Sequence, residues 1–298
     1  MQNAPSPAEK GAPRVTVGMP VFNGAKLLRD TLENLERQSF GDFQVFICDN
    51  GSTDATPEIC QDFARRDSRF HHMRSDVNIG ALPNFFKARD QGTTPLFMWR
   101  AFDDVADDNY IEELVKVHDR DPGTLLATCD VYRDGSPGTP QRFYPYTVPT
   151  DGARLVRLYR QMLRNSASWY YGLWRHDSLI EITDAVLKGY QDEWAFDQLV
   201  LFGVALKDGV RGTRTTTFHQ RKIIETRDYI PRPKPSYAVM SGRVSRFAAT
   251  GQALLAASDL TASQKAVMRL IIPYYARRRC HNMSRLFKAR IKAMVSPA

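Results

Sequence analysis

The chain has 298 residues, 43% hydrophobic and 25% charged, enough apolar material for one large domain with an appendage or for two small ones. No apolar run reaches the ~20 residues that a membrane span needs. The net charge is +8, yet the stretch from Leu260 onward holds nine Lys or Arg and no Asp or Glu, so everything before it is close to neutral. A basic tail on a neutral body argues against a nucleic-acid partner for the chain as a whole.

Residues 1–13 are rich in Pro and Ala and contain no apolar core segment, so a disordered tail is expected there rather than a signal peptide. Arg14 to Met19 alternates β-branched residues as a strand does. Pro20-Val21-Phe22-Asn23-Gly24 interrupts it, and Leu27, Leu28, Leu32 and Leu35 follow at helical spacing. Phe43 to Cys48 is a second strand, closed by the turn formers and oxygen-bearing side chains of Asp49 to Asp54. Thr56-Pro57 reads as an N-cap and a first-turn proline. Phe70 to Arg74 is a third strand, and Asp76 to Asn84 is a turn-rich crossing into a helix.

Leu96 to Trp99 is a short apolar strand that runs into Asp103-Asp104. A helix through Ile111, Leu114, Val115 and His118 and a strand from Thr124 to Val131 come next. The alternation of strand and helix predicts an α/β fold with a Rossmann-like, mostly parallel central sheet flanked by helices. Asp134 to Pro149 reads as a mobile loop, Arg154 to Leu163 as an amphipathic helix, and Trp169 to Arg175 as an aromatic-rich run that faces either a sugar or the core. Glu193 to Leu206 is predicted as a helix apolar nearly all round, interrupted by Asp197. A carboxylate in such a helix is costly unless it has a partner or a task.

From Ser236 on, the pattern is helical. Thr261 to Gln264 fits a capping box, and Pro273 is expected to break or kink the run. Met283, Leu286, Phe287, Ile291 and Met294 form a stripe beside Arg285, Lys288, Arg290 and Lys292. Such a helix lies on an anionic membrane surface or docks on the body with a solvated face. Cys48, Cys60, Cys129 and Cys280 lack metal-ligand spacing and read as buried, reduced thiols of a cytoplasmic protein.

In an open α/β sheet, ligands sit beyond the carboxyl ends of the strands. The segments Pro20 to Asn23, Asp49 to Asp54 and Asp103-Asp104 all fall at such ends. Two adjacent carboxylates repel unless a cation or hydrogen-bond donors offset them, so the pair either caps a turn or holds Mg²⁺ or Mn²⁺ against substrate phosphates. Neither GxGxxG nor a Walker A loop occurs here, so these two phosphate-binding fingerprints are absent.

The blocks VTVGMPVFNGAKLLRDTLENLERQSFGDFQVFICDNGSTDAT, DVNIGALPNFFKARDQG and AFDDVADDNYIEEL together resemble the family 2 glycosyltransferases, from about Arg14 to about Lys222. The resemblance implies a GT-A domain over residues 14–235, a basic helical extension over 236–298, and inverting transfer from a nucleoside-diphosphate sugar to a hydroxyl acceptor. It implies Pro20 and Phe22 at the base, with Asp49 or Asn50 bonding it, and Asn23, Gly80, Asn84, Asp103 and Arg221 elsewhere around the nucleotide sugar. Asp104 and Asp103, joined by His219, would hold Mn²⁺ or Mg²⁺, and Asp197 would be the catalytic base.

His219 and Arg221 also lie where the family carries a basic clamp. Ala101 stands where many members have the first Asp of Asp-x-Asp-Asp, and Asn50 where many have Asp. The base is therefore open, with UDP first and dTDP and GDP behind it. The acceptor would be a glycan or a lipid-linked glycan in surface polysaccharide or glycolipid synthesis, at the inner face of the membrane. Two other classes compete: a nucleotidyltransferase, disfavoured because Pro20 to Gly24 has a single Gly and no Lys, and a non-catalytic nucleotide- or membrane-binding protein.

Overall fold

The computed structural model describes residues 12–135, 140–147, 152–221, 235–281 and 283–295. Residues 1–11 of the expected tail, residues 136–139, 148 and 149 of the expected loop, and Lys222 lie outside them.

Strands β1 (Val15–Val21), β2 (Phe43–Asp49), β3 (Phe70–Arg74) and β4 (Leu96–Trp99) form a parallel half-sheet in the order β3-β2-β1-β4. Every residue of β1 and of β4 is buried, as expected of central parallel strands covered on both faces. Pro20 is tolerated inside β1 for a local reason. The Arg100 N–H donates to the Gly18 carbonyl at 3.0 Å, so even-numbered residues of β1 face β4, whose pairing stops at Gly18–Trp99. The donor that Pro20 lacks therefore falls beyond the end of β4, where no strand would have used it.

The second half-sheet is mixed. β8 (Leu173–Arg175) runs antiparallel to both β4 and β6 (Leu126–Arg133), and β9 (Val210–Gln220) is parallel to β6. The short β5 (Val105–Ala106) and β7 (Arg142–Tyr144) add antiparallel to β9 and β6. The sheet is thus less parallel than the alternation of elements suggests, because strands of two or three residues leave no periodic trace.

Helices α1 (Ala25–Glu36), α2 (Thr56–Arg66), α3 (Ala81–Arg89) and α4 (Tyr110–Arg120) fall where hydrophobic spacing places them. Thr56 is not an N-cap: it lies within the first turn of α2, its N–H donating to Asp54 Oδ1 at 3.0 Å. α5 (Arg154–Arg164) is followed by a 3-10 turn (Ala167–Tyr171), by α6 (His176–Leu187), which the sequence pattern did not reveal, and by α7 (Phe196–Leu206). α7 starts three residues later than expected because Ala195 sits in the left-handed region at φ 62°. That conformation costs a non-glycine residue roughly 1–3 kcal/mol.

α8 (Tyr237–Ala257), α9 (Ala262–Arg279) and α10 (Met283–Val295) form the helical extension. α9 opens on the expected capping box and runs through Pro273 without a break. The carbonyl that Pro273 leaves without its helical donor is that of Arg269, and Gln252 Nε2 of α8 donates to it at 3.0 Å. All four cysteines are free and buried. Among the described residues no helix is long and apolar enough to cross a membrane.

Candidate active site

The loops after β1 and β2 are stapled to each other. Asn23 Oδ1 accepts from the Thr53 N–H at 2.9 Å, and the Asn23 N–H donates to Ser52 Oγ at 2.9 Å. The Gly24 N–H donates to Thr56 Oγ1 at 2.9 Å and the Ala25 N–H to Asp54 Oδ2 at 3.1 Å. Beneath them Asp49 is fully buried. Its Oδ1 accepts from the Ser52 N–H at 2.9 Å, whereas Oδ2 has no hydrogen-bond partner, with Arg74 Nε at 3.6 Å and His72 Nε2 at 3.7 Å.

Asn50 is fully engaged. Its amide donates to Asn78 Oδ1 at 2.9 Å and to the Gly80 carbonyl at 3.1 Å, and its oxygen accepts from the Ile79 N–H at 2.9 Å. Gly80 needs its φ of 93° to make that turn. Asn84, also buried, donates to the Cys48 carbonyl at 2.9 Å. Asn23, Asn50, Gly80 and Asn84 thus tie the segments that follow β1, β2 and β3 together, whereas Asp49 Oδ2 accepts no hydrogen bond. Pro20 is buried at the end of β1, and Phe22 just after it is exposed.

The Asp103-Asp104 loop is held from both sides. On one side α1 presents a polar stripe, Thr31 and Asn34, continued past its end by Gln38, all buried. Thr31 Oγ1 donates to the Phe102 carbonyl at 2.8 Å. Asn34 pairs with Ala106 as a strand would, donating to its carbonyl at 2.7 Å and accepting from its N–H at 2.9 Å. Gln38 donates to the Asp107 carbonyl at 3.0 Å and accepts from the Ile111 N–H at 3.1 Å. On the other side the Arg221 N–H donates to Asp104 Oδ1 at 2.8 Å. The Arg221 guanidinium donates to the Asp103 carbonyl, to Thr31 Oγ1 at 2.9 Å and to Asp30 Oδ2 at 3.3 Å. It thereby ties the Asp103-Asp104 loop to α1.

Burial, joined by the negative charge of Asp103, raises the Asp104 carboxyl well above the usual range, and burial raises Asp103 as well. Arg100 lies beneath, fully buried between the rings of Tyr110 (5.1 Å) and Phe218 (5.4 Å), with no hydrogen-bond partner on any guanidinium nitrogen. His219 does not join the pair. Its Nε2 lies 3.1 Å from Asp107 Oδ1, and it lines a separate depression with Asp30, Glu33 and Arg37. Among the described residues no three His, Cys, Asp or Glu side chains come together as a ligand set.

Asp197, in the first turn of α7, faces a cavity of about 300 Å³ walled by Phe85, Tyr170, Tyr171 and Trp194. Burial raises its carboxyl, and a bond from Gln198 Nε2 at 3.3 Å, together with Arg133 and Arg279, offsets only part of that. Two links join this cavity to the Asp pair. Burial, then the charges of Asp104, Asp103 and Asp197, all push the Tyr171 phenol up, so all three carboxylates lie within electrostatic reach of it. Gln220 lines the cavity, while the next residue, Arg221, bonds Asp104. The aromatic run at 169–175 divides accordingly. Trp174 is core, stacked edge-on against Tyr170, whereas Tyr170 and Tyr171 meet the cavity.

Thr31, Asn34 and Arg100 are not singled out as site residues by the sequence pattern, whereas Tyr171 lies in the aromatic run expected to face a sugar or the core. The signal for Thr31, Asn34 and Gln38 was present, as polar residues at i, i+3 and i+7 on the face that a buried helix would make apolar.

A nucleotide-type parallel half-sheet, carboxylates at its edge and a second cavity under a mixed half-sheet define a GT-A fold. S. aureus TarS residues 1–349, solved in complex with UDP-GlcNAc, superposes with a TM-score of 0.72 at 15% identity, covering 94% of this chain and 77% of that one. Mannosyltransferase PcManGT from Pyrobaculum calidifontis, solved with GDP-Man and Mn²⁺, superposes with a TM-score of 0.54 at 15% identity over 97% of this chain and 77% of that one. In sequence, residues 16–172, more than half of the chain, match the family model described as Glycosyl transferase family 2. The chain belongs to that family. Among its curated relatives, glycosyltransferase GlyG of Streptococcus pneumoniae serotype 4 is 27% identical over 142 residues, 46% of this chain and 44% of that protein. Glycosyltransferase AglD of Haloferax volcanii is 34% identical over 125 residues, 39% of this chain and 19% of that protein. The chain thus spans less than half the length of either relative.

Proposed function

We propose that the protein is an inverting glycosyltransferase that moves a sugar from a nucleoside-diphosphate donor, UDP-linked in first place, to a hydroxyl of a glycan or lipid-linked acceptor in surface polysaccharide or glycolipid synthesis. The observation that carries this reading is that the Asp103-Asp104 loop and the Asp197 cavity adjoin: Arg221 bonds Asp104, and the preceding residue, Gln220, lines the cavity. A donor diphosphate at the first and an acceptor hydroxyl at the second would then be neighbours. The UDP-GlcNAc and GDP-Man complexes of the two structural neighbours support a nucleotide-sugar donor.

On this reading Asp49, whose Oδ2 accepts no hydrogen bond, bonds the base, with Pro20 and Phe22 beside it. Asn23, Asn50, Gly80 and Asn84 hold that pocket's walls. Asp197 takes the proton from the attacking hydroxyl, and its apolar surroundings make it a stronger base than a solvated carboxylate. Attack on the face opposite the leaving diphosphate inverts the anomeric carbon and needs no carboxylate nucleophile. Mn²⁺ or Mg²⁺ fits the Asp pair: Arg100 and Arg221 only partly offset the mutual repulsion that raises the Asp104 carboxyl, and two protein oxygens are what such an ion takes when substrate phosphates complete its shell. When bound, the ion neutralises charge on the diphosphate. His219, held by Asp107, is not among its ligands in this proposal. Four buried free thiols fit a cytoplasmic setting.

The test is transfer from a panel of labelled nucleotide sugars, with thermal shift by UDP in Mn²⁺ and in EDTA. The reading predicts a UDP shift that EDTA removes, and a product of inverted anomeric configuration by NMR. A product retaining the donor's configuration overturns the mechanism, and a shift indifferent to EDTA overturns the metal.

A further inference from the structure

The outer face of the helical extension carries a pattern that the transfer chemistry does not use. α9 packs inward through Met268, Ile272, Tyr275 and Ala276, all buried. Its opposite stripe is apolar and exposed. Val267, Leu270 (82% exposed) and Tyr274 (54%) recur at i, i+3 and i+7, and the next turn of the same stripe is Arg277 and Arg278. α10 repeats the theme, with Phe287 (65% exposed) and Ile291 (45%) one turn apart beside Lys288 and Arg290.

A large apolar side chain as exposed as Leu270 is ordinary singly, but five on two successive helices are not. The charged neighbours of these side chains along both helices are the cations Arg277, Arg278, Lys288 and Arg290, and no Asp or Glu follows Leu260 in the sequence. No carboxylate among the described residues pairs with Arg277 or Arg278. Each bonds within α9, to the Pro273 carbonyl and to the Tyr274 hydroxyl, both at 3.5 Å. Apolar side chains flanked by unneutralised cations suit the boundary between acyl chains and anionic headgroups. A protein partner would be expected to supply carboxylates to a surface so basic, and a second copy of the same stripe brings more cations instead.

We propose that the outer stripe of α9, continued by Phe287 and Ile291 of α10, docks on an anionic lipid bilayer. The same helices hold the Asp197 cavity. Trp194 Nε1 donates to the Cys280 carbonyl at 2.6 Å, and its ring stacks on His281 at 5.1 Å. Tyr275 donates to the Gln198 carbonyl at 3.0 Å, and Arg279 to the Met162 carbonyl at 2.8 Å. A bilayer under α9 therefore lies one helix away from the wall of the acceptor cavity, which favours acceptors carried on lipid. The docking surface itself does not depend on the identity of the donor.

The experiment is vesicle sedimentation of the full chain with phosphatidylcholine vesicles, with and without phosphatidylglycerol, at low and high salt. Binding is expected only with phosphatidylglycerol and is weakened by salt. Arg277→Gln/Arg278→Gln and, separately, Leu270→Ser/Tyr274→Ser each lower the partition coefficient by roughly tenfold or more. Both pairs are exposed, so melting temperatures unchanged from the parent certify folding. Absence of vesicle binding, equal binding to neutral vesicles, or indifference to both double variants overturns the proposal. So does a concentration-dependent oligomer, abolished by Leu270→Ser/Tyr274→Ser, in a protein that ignores vesicles, because the stripe is then a contact between copies.

Discussion

The two ends of the site are built on opposite principles. At the nucleotide end, polar side chains are committed to backbone groups of neighbouring loops: Asn23 to Thr53, Asp49 to Ser52, Asn50 to Ile79, Asn34 to Ala106. At the Asp197 end the walls are aromatic, and the cavity is shaped by packing against α9. The difference teaches what each end must do. On the proposed reading, a nucleotide diphosphate would be met by donors and carboxylates already held in place. An acceptor would be met by apolar surface, and that surface is also what raises the Asp197 carboxyl. Specificity for the acceptor and strength of the base then come from one set of side chains.

The sharpest way to separate the two ends is to remove one carboxylate from each. Asp104→Asn and Asp197→Asn are both expected to lower transfer by about a thousandfold or more. They should differ in binding. Asp197→Asn keeps the UDP-induced thermal shift in Mn²⁺, and Asp104→Asn loses most of it. Equal loss of the shift in both variants would abolish the division of labour. The pH profile adds a sign. Asp197 must be ionised to accept a proton, and burial raises its carboxyl, so kcat/KM falls on acidification from a pH above that of a solvated aspartate. Replacing Trp194 by Ser, which opens the cavity to water, should move that limb to lower pH.

A second effect lies on the seam between the half-sheets. His118 of α4 is buried, with Nε2 2.9 Å from the Leu173 carbonyl, and burial lowers its pKa from 6.5 to about 4. The unfolded chain therefore binds the proton more readily than the folded one between these values. The stability that His118 contributes is whole above the unfolded pKa and is lost as pH falls toward the folded one, about 3 kcal/mol in all. Urea unfolding at about pH 7 and about pH 4.5 should show that loss, and His118→Gln, which can reach the same carbonyl without titrating, should show a smaller one. An unchanged pH difference in the variant would assign the loss to the carboxylates.

The parallel half-sheet and the loops at its edge are largely legible in the sequence. β1 to β4 announce themselves by β-branched and apolar runs, and the turn formers after each mark the edge where ligands gather. What each polar residue holds was not legible. Asn50 and Asn84 read equally well as ligand contacts, and only the fold brings the loop at 78–80 onto one and the Cys48 carbonyl onto the other. His219 reads as a metal ligand until the antiparallel pairing of Val105 with His219 sets it beside Asp107. Asp197 was visible as a carboxylate in an apolar helix, but the later start of α7 was not, since nothing in Ala195 signals a left-handed conformation. The mixed half-sheet was hidden because its short strands carry too few residues to show a period.

The stapled frame makes a smaller, testable claim about α1. Asn34 touches no ligand in the proposed reaction, yet Asn34→Ala strands the buried Ala106 N–H and carbonyl, at a cost of about 2 kcal/mol in urea unfolding. Because Ala106 lies two residues past Asp104, the variant should also weaken the UDP shift in Mn²⁺ while sparing the acidic limb set by Asp197. A variant that loses stability but keeps the full UDP shift would show that the carboxylate loop does not need α1 to hold its shape.

The smallest effect tests the other end. Pro273 removes one helical hydrogen bond from α9, and Gln252 restores a donor to the Arg269 carbonyl from across the α8–α9 interface. Water can reach this bond, so Gln252→Ala is expected to cost only about 0.5–1 kcal/mol. The double variant Gln252→Ala/Pro273→Ala should recover most of that loss, because the backbone N–H regained in place of the proline ring then serves the same carbonyl within the helix. Failure of the double variant to recover would mean that Gln252 holds α8 against α9 in its own right. Its effect should then reach Tyr275 and the Gln198 carbonyl that it bonds. Since Gln198 follows Asp197, such a variant would shift the acidic limb of the rate profile while leaving the UDP shift intact, the reverse of the signature expected for Asn34→Ala.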